Sequence, residues 1–302
     1  MNFSGAKAPV GEVPGAEATV LCDIACELGE GPAYDRHTDT LWWFDIANRK
    51  LFEKQMKSGA LKVHDLPEIS SAIARIDDQR QLLVTETGAH VRDIATGRLT
   101  RHVGIEVDNP ATRSNDARVH PSGAFWIGTM AKNHDKGAGA IYWLKGSELR
   151  LLYPNISIPN AICFSPDGSI AYFTDSADNR LMRVACDAAT GLPKGEPAVW
   201  LDGRGGKGVF DGSVCDADGN VWNARWGAAR LDCYAPDGKL LRSYSVGARQ
   251  SSCPAFVGDG GIAVTSAWQG MNTAARAADP MAGFTFLVAA GARPRYEPDF
   301  EL

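Results

Sequence analysis

With 302 residues, of which 44% are hydrophobic, 9% aromatic and 22% charged, the chain can bury a sizeable core, and its composition excludes intrinsic disorder. The formal net charge of -5 argues against a phosphate-tracking surface for nucleic acid, and no run of Lys and Arg reads as a membrane patch. A small-molecule partner is the expectation that remains.

Taken in chain order, the first segment, "MNFSGAKAPVGEVPGAEAT", has no apolar stretch of the secretion type and reads as a loose tail over residues 1–16, ahead of a single domain over 17–302. No apolar segment approaches the roughly 18 to 20 residues of a spanning helix. The seven cysteines, at 22, 26, 163, 186, 215, 233 and 253, are odd in number and form no CxxC pair. Reduced thiols in a cytoplasm fit that usage.

A turn followed by a strand then recurs along the chain. It reads "YDRHTDTLWWFDI" from Tyr34, "IDDQRQLLVTETG" from Ile76, "VHPSGAFWIGTM" from Val119, "FSPDGSIAYFTDS" from Phe164, "CDADGNVWNARWG" from Cys215 and "FVGDGGIAVTSAW" from Phe256. The starts are 42, 43, 45, 51 and 41 residues apart. A second hairpin follows each copy, for example "KLFEKQM" with "LKVHDL", and "GFTFLVA" with the closing "RPRYEPDF". Four short strands per unit of about 40 to 50 residues is the pattern of a propeller blade. The fold expected is all-β: a six-bladed β-propeller with four-stranded antiparallel blades around a central channel. The segment "TVLCDIA" is placed to complete the last blade. A β-sandwich, which also has short, evenly spaced strands, is the alternative.

Four residues before each repeat start stand Glu30, Ala72, Asn115, Asn160, Asp211 and Ser252. These positions open the innermost strands beside the axis, so residues far apart in sequence can meet there. Two carboxylates and two amides are an all-oxygen donor set, which hard divalent cations prefer. A bland reading also exists, since Asp and Asn often satisfy backbone groups at strand entry; four such residues at one phase of a repeat favour a site. Gly follows the carboxylate in both "GEGP" and "FDGS", allowing close approach. Arg113, two residues before Asn115, points the same way in an extended strand and suits an oxyanion or sugar hydroxyls.

The motifs "LGEGPAYD", "RSNDARVHPSGAFWIGTM", "IPNAICFSPDGSIAYFTDS" and "FDGSVCDADGNVWNARWG" closely resemble the senescence-marker-protein, gluconolactonase and regucalcin family of six-bladed propellers, in family order, from about residue 20 to the carboxyl end. The resemblance implies one metal held by Glu30, Asn160 and Asp211, with Arg113 and Asn115 addressing substrate, and hydrolysis of a sugar-acid lactone. Calcium is the foremost cation, with magnesium, manganese or zinc as alternatives. Where some members carry Glu after "GTMA", this chain has "KNHDKGAG", which brings Asn133 into the substrate-binding set beside His134 and leaves the sugar open.

Opening a lactone needs a nucleophile at the carbonyl carbon and stabilisation of the oxygen that becomes negative. No "GxSxG" occurs, which argues against covalent catalysis. A cation acting as Lewis acid and a carboxylate base are expected instead. Asp211 is the candidate base, by the resemblance and by its place between "RGGKGV" and "DGS"; Asp116 or an outer water are alternatives. "GRGGKG" at 203–208 lacks the Lys-Ser/Thr of a phosphate loop and reads as a rim loop. The tryptophans at 42, 43, 126, 222, 226 and 268 are expected to fill space between blades, with Trp226 the one placed to line the mouth. Two other functions stand behind the sugar lactonase: another metal-dependent propeller hydrolase, acting on acyl lactones or organophosphates, and a calcium-binding regulator without chemistry. The expected assembly is a monomer or weak homodimer, without nucleic-acid or membrane partners.

Overall fold

The computed structural model describes residues 6–7 and 17–302. Of the tail expected over 1–16, Ala6–Lys7 pairs in parallel with Leu201 and Asp202, and the rest lies outside the described residues. The architecture is all-β, and the one helix among the described residues is short, Thr273–Ala278. No helix of the described residues is long and apolar enough to cross a membrane.

The repeats fold as antiparallel four-stranded sheets, the layout of a β-propeller. In the first, Gly29–Asp35, Thr40–Asp45, Lys50–Gln55 and Leu61–Asp65 pair in order. The turns quoted above join first strand to second: in "HPSG" and "SPDG", Gly123 (φ 79°) and Gly168 (φ 71°) take the left-handed conformation that the bend requires. Burial falls from inside to outside. Thr40–Asp45 is buried throughout, whereas Leu61–Asp65 has only half-buried and exposed residues, as suits an outer strand.

The innermost strands are Gly29–Asp35, Ser70–Arg75, Thr112–Val119, Pro159–Phe164, Val209–Cys215 and Gln250–Val257. Each packs on the next, and Gln250–Val257 packs on Gly29–Asp35, so the array closes on itself. The apolar cores lie between neighbouring sheets. Trp126 and Trp143 meet Phe164 and Phe173 in one such layer, Tyr172 and Trp200 meet Phe210 and Tyr234 in the next, and Ala255 and Val257 meet Trp43 and Phe52 where the last sheet reaches the first. Each buried aromatic contributes about 1.5–3 kcal/mol of burial energy. That accounts for Trp42, Trp43, Trp126 and Trp222, all at most 5% exposed. The seven cysteines are free and buried.

The carboxyl end departs from the expected hairpin. Thr285–Val288 is a strand, but its outer partner is Thr19–Cys22, the "TVLC" of the sequence. "RPRYEPDF" is not a strand. Pro294 and Pro298 offer no N–H to a ladder, and this segment instead crosses the lower end of the channel. Ala292 N–H donates to Gly260 O, Ala217 N–H to Arg293 O, Arg295 Nη2 to Phe164 O, Val119 N–H to Glu297 Oε2 and Phe300 N–H to Arg75 O, while the Tyr296 ring lies tilted against that of Tyr34. It thus touches every innermost strand or the turn that follows it.

His120, fully buried, ties neighbouring sheets: one ring nitrogen meets Gly168 O at 2.9 Å, the other Ser122 Oγ at 2.8 Å, and the ring stands edge-on to Phe164. Burial pushes its pKa down; the Gly168 contact and Asp187 oppose this, and Arg295 and Lys145 add to it. A folded pKa below the unfolded one means that the unfolded chain takes up the proton first. Stability is therefore full above the ordinary histidine pKa and lost as pH falls below it. Urea midpoints taken between pH 7 and 5 should fall more steeply in the wild type than in His120→Gln.

Candidate active site

Every innermost strand has a bulge where it pairs with its second strand, between Glu30 and Ala33, Ser70 and Ala72, Ser114 and Ala117, Asn160 and Cys163, Phe210 and Ser213, and Ser251 and Pro254. A bulge bends the strand and re-aims side chains. Glu30 and Asn160 are the last paired residues before their bulges, whereas Asn115 and Asp211 lie inside theirs. Equal spacing in sequence therefore does not mean equal register in the fold.

The glycines after the carboxylates serve packing between neighbouring strands. A Cβ on Gly31, whose φ is +54°, would stand 2.0 Å from Ser71 O, and one on Gly212 would stand 2.3 Å from Cys253 Sγ. Gly31→Ala therefore combines a disfavoured backbone conformation with overlap on a main-chain oxygen. It should cost about 3 kcal/mol or more, read from the urea midpoint at unchanged slope.

At the axis, Glu30, Asp211 and Asp116 are 8%, 4% and 5% exposed. Glu30 Oε2 accepts from Gly31 N–H at 3.1 Å, and Asp116 Oδ2 from Ile162 N–H at 2.8 Å. Asp211 Oδ1 is buried with no hydrogen-bond partner. Burial first, then Glu30 and Asp116, push the Asp211 pKa well up; burial and Asp116 do the same to Glu30, against the pull of Gly31 N–H, Arg113 and Arg118. Asp116 is raised to about 6 by burial, with Arg118 opposing. These mutual effects place the three carboxylates in one electrostatic neighbourhood.

The amides form a chain beside them. Asn115 Nδ2 donates to Asn160 Oδ1 and to Pro159 O, both at 2.9 Å, and Asn160 Nδ2 donates to Ser176 Oγ at 2.9 Å. Ser176 in turn donates to Phe210 O at 2.7 Å. Asn115 Oδ1 is taken by Arg113 Nη1 at 2.9 Å, which also donates to Ser114 O. Arg113 is thus a buried clamp on Asn115, 7% exposed, and not a guanidinium hanging free over the rim. Asn160 Oδ1 keeps one lone pair.

Asn133 is exposed and holds a local turn, donating to Asp135 Oδ2 at 2.9 Å and accepting from Asp135 N–H. Neither of these bonds reaches Arg113 or Asn115. Burial first, and then Arg113, push the imidazole pKa of the neighbouring His134 down.

Arg118 was not singled out by the sequence reading, although it lies two residues beyond Asp116 on an innermost strand. It spans the channel beneath the carboxylates: Nη1 donates to Glu297 Oε1 at 2.8 Å and to Pro32 O at 3.4 Å, Nη2 to Ser213 O at 3.2 Å and towards Cys253 Sγ. Below it lies a cavity of about 180 Å³ floored by Arg295, Tyr296 and Glu297. Arg118 therefore separates that cavity from the site.

The donors at the axis suit a hard divalent cation: they are oxygen only, and one buried carboxylate oxygen lacks any partner. Among the described residues no three His, Cys, Asp or Glu side chains group as a metal cluster. The candidate set is two carboxylates and an amide, the third carboxylate being tied to Ile162 N–H.

Comparison with known proteins identifies the family. The family described as "SMP-30/Gluconolactonase/LRE-like region" matches residues 28–267. A protein of Rhizobium meliloti (strain 1021) named "Putative sugar lactone lactonase" is 52% identical over 284 residues, covering 93% of this chain and 96% of its own. The L-arabinolactonase of Azospirillum brasilense is 36% identical over 279 residues, 91% of this chain and 92% of its own. A crystal structure of the calcium-binding protein regucalcin from Agrobacterium tumefaciens str. C58 superposes with a TM-score of 0.93 at 46% identity, covering 99% of this chain and all of that one. The chain belongs to the SMP-30/gluconolactonase/LRE-like family.

Proposed function

We propose that this protein is a six-bladed propeller that hydrolyses a sugar lactone to the open-chain sugar acid, using one divalent cation held by Glu30, Asn160 and Asp211. The observation that carries the reading is the charge buried along the axis. Glu30, Asp116 and Asp211 are buried at the axis and, when ionised, stand against the buried Arg113, while Arg118 is paired with the quarter-exposed Glu297, which leaves two negative charges. Unpaired buried charge is costly, and one divalent ion would balance it. Calcium is the cation favoured, in keeping with the calcium-binding regucalcin from Agrobacterium tumefaciens. The sugar lactonases named among the relatives support the substrate class.

When bound, the cation would supply Lewis acidity towards the lactone carbonyl oxygen. Asp211, its Oδ1 free of protein donors, accepts the proton of the attacking water. The water oxygen bonds to the carbonyl carbon, the ring carbon–oxygen bond breaks, and the departing alkoxide takes up a proton. The product acid then ionises and releases one proton to solution. Arg113 fixes the Asn115 amide so that its Nδ2 faces Asn160, and this pair orients the ring hydroxyls. Asn133, on the loop beside His134, would serve as a further hydroxyl contact.

The test is proton release from a panel of aldonolactones, including gluconate, galactonate, xylonate and arabinonate lactones, with calcium present. The reading predicts turnover of at least one well above its spontaneous opening; spontaneous rates throughout would rule it out.

A further inference from the structure

Beside the axial ring, on the same face, lies a cavity of about 590 Å³ whose only charged lining residues are Lys207 and Arg249. Its lining includes no acid. This is notable in a chain of net charge -5, where cations usually find a carboxylate. Neither Lys207 nor Arg249 forms an ion pair among the described residues, and both are exposed to solvent. Gln250, Asn272 and Trp226 add polar atoms and a ring edge to the same wall.

The position of Lys207 is built, although the sequence reading treats "GRGGKG" only as a rim loop. Asn179 Nδ2 donates to Gly203 O at 2.7 Å and to Gly208 O at 3.3 Å, closing the loop at both ends. Arg225, 2% exposed, reaches the Lys207 and Gly208 carbonyls through Nη2 and lies over the Phe210 ring at 4.0 Å. Its Nε and Nη1 have no acceptor in the protein. A third, largely unsatisfied guanidinium therefore lies directly against the backbone that carries Lys207.

The cavity adjoins the ring. Lys207 is four residues before Asp211, and Gln250 is two residues, roughly 7 Å of strand, before Ser252. A group on the far end of a lactone bound at the axis would meet it. Two positive side chains line the cavity without a carboxylate among the lining residues, Arg225 lies behind the backbone of one of them, and the nearby Asp279 is taken by the Arg249 main-chain N–H; this favours an anion, held by charge-assisted hydrogen bonds. We propose that this cavity is an anion subsite, and that the preferred lactone carries a second, non-reacting anionic substituent: a carboxylate, phosphate or sulfonate. This rests on the lactonase reading for its substrate, but not for the subsite itself.

Two measurements separate the ideas. The first compares kcat/KM for an aldonolactone and for the same lactone carrying a terminal phosphate, in wild type, Lys207→Met, Arg249→Met and the double variant. The wild type should prefer the phosphorylated lactone at least tenfold, and each substitution should lower that ratio about tenfold. The second is calorimetric titration of the chelator-treated protein with inorganic phosphate, where binding should weaken with added salt and vanish in the double variant. A wild-type ratio near one, or phosphate binding that survives both substitutions, overturns the subsite while leaving the lactonase standing. Phosphate binding lost in the double variant, with no lactone opened by the wild type, sustains the subsite and removes the lactonase reading.

Discussion

Asp211→Asn should lower kcat for a sugar lactone by about 10²–10⁴-fold, the range expected on removing a general base. The substitution keeps the shape and one carbonyl oxygen, so steric change is small. It removes a carboxylate with a buried oxygen that has no hydrogen-bond partner and also a negative charge that a cation would need. These two losses separate in a titration. If Asp211 is only a ligand, raising the cation concentration restores kcat; if it is also the base, kcat stays low at saturating cation while KM changes little. Glu30→Gln provides the contrast, because Glu30 already accepts Gly31 N–H and is assigned as ligand alone. Its turnover should recover in part with excess cation, and no recovery in either variant would make both residues bases or neither.

Glu297→Gln should destabilise the fold by about 3 kcal/mol, at the low end for breaking a buried ion pair because Glu297 is itself a quarter exposed. Arg118 is 4% exposed and has no other carboxylate within ion-pair distance. An amide would keep a hydrogen-bond acceptor but remove the guanidinium's ion-pair partner, leaving only the longer-range charges of Glu30 and Asp116 to face it. The same carboxylate also takes the Val119 N–H at 3.2 Å, so the loss is felt on the strand that carries Asn115 and Asp116. Urea unfolding checks this through the midpoint at constant slope. A shift of less than about 0.5 kcal/mol, the range of ordinary surface substitutions, would mean that Arg118 finds its balance elsewhere.

Much of this was legible because the repeat writes the same physics several times. A polar turn between two strands, recurring every 41 to 51 residues, predicts the four-stranded sheets, and positions counted back from it include Glu30, Asn115, Asn160 and Asp211. Counting does not reveal the bulges. A one-residue difference in register places Asp211 inside a bulge and Glu30 before one, and no local propensity distinguishes them. Arg113 was legible as a charged neighbour of Asn115, but not as its clamp, because that depends on a side-chain direction set by packing. Arg118 and the carboxyl-terminal crossing were missed for a different reason. Their meaning comes from contacts between residues far apart in sequence, such as Arg118 and Glu297, 179 residues apart, and "RPRYEPDF" has the aromatic and charged alternation of a strand until its prolines are weighed against the partner already supplied by Thr19–Cys22.

The most direct test of the axial site is a calcium titration of the chelator-treated protein in which binding is measured by calorimetry and lactone hydrolysis is followed in parallel. One equivalent should bind, hydrolysis should rise in proportion to occupancy, and Glu30→Gln should weaken both together. Full hydrolysis in the presence of chelator, or calcium binding undiminished in Glu30→Gln, would contradict the assignment of Glu30, Asn160 and Asp211 as the cation site of a lactonase.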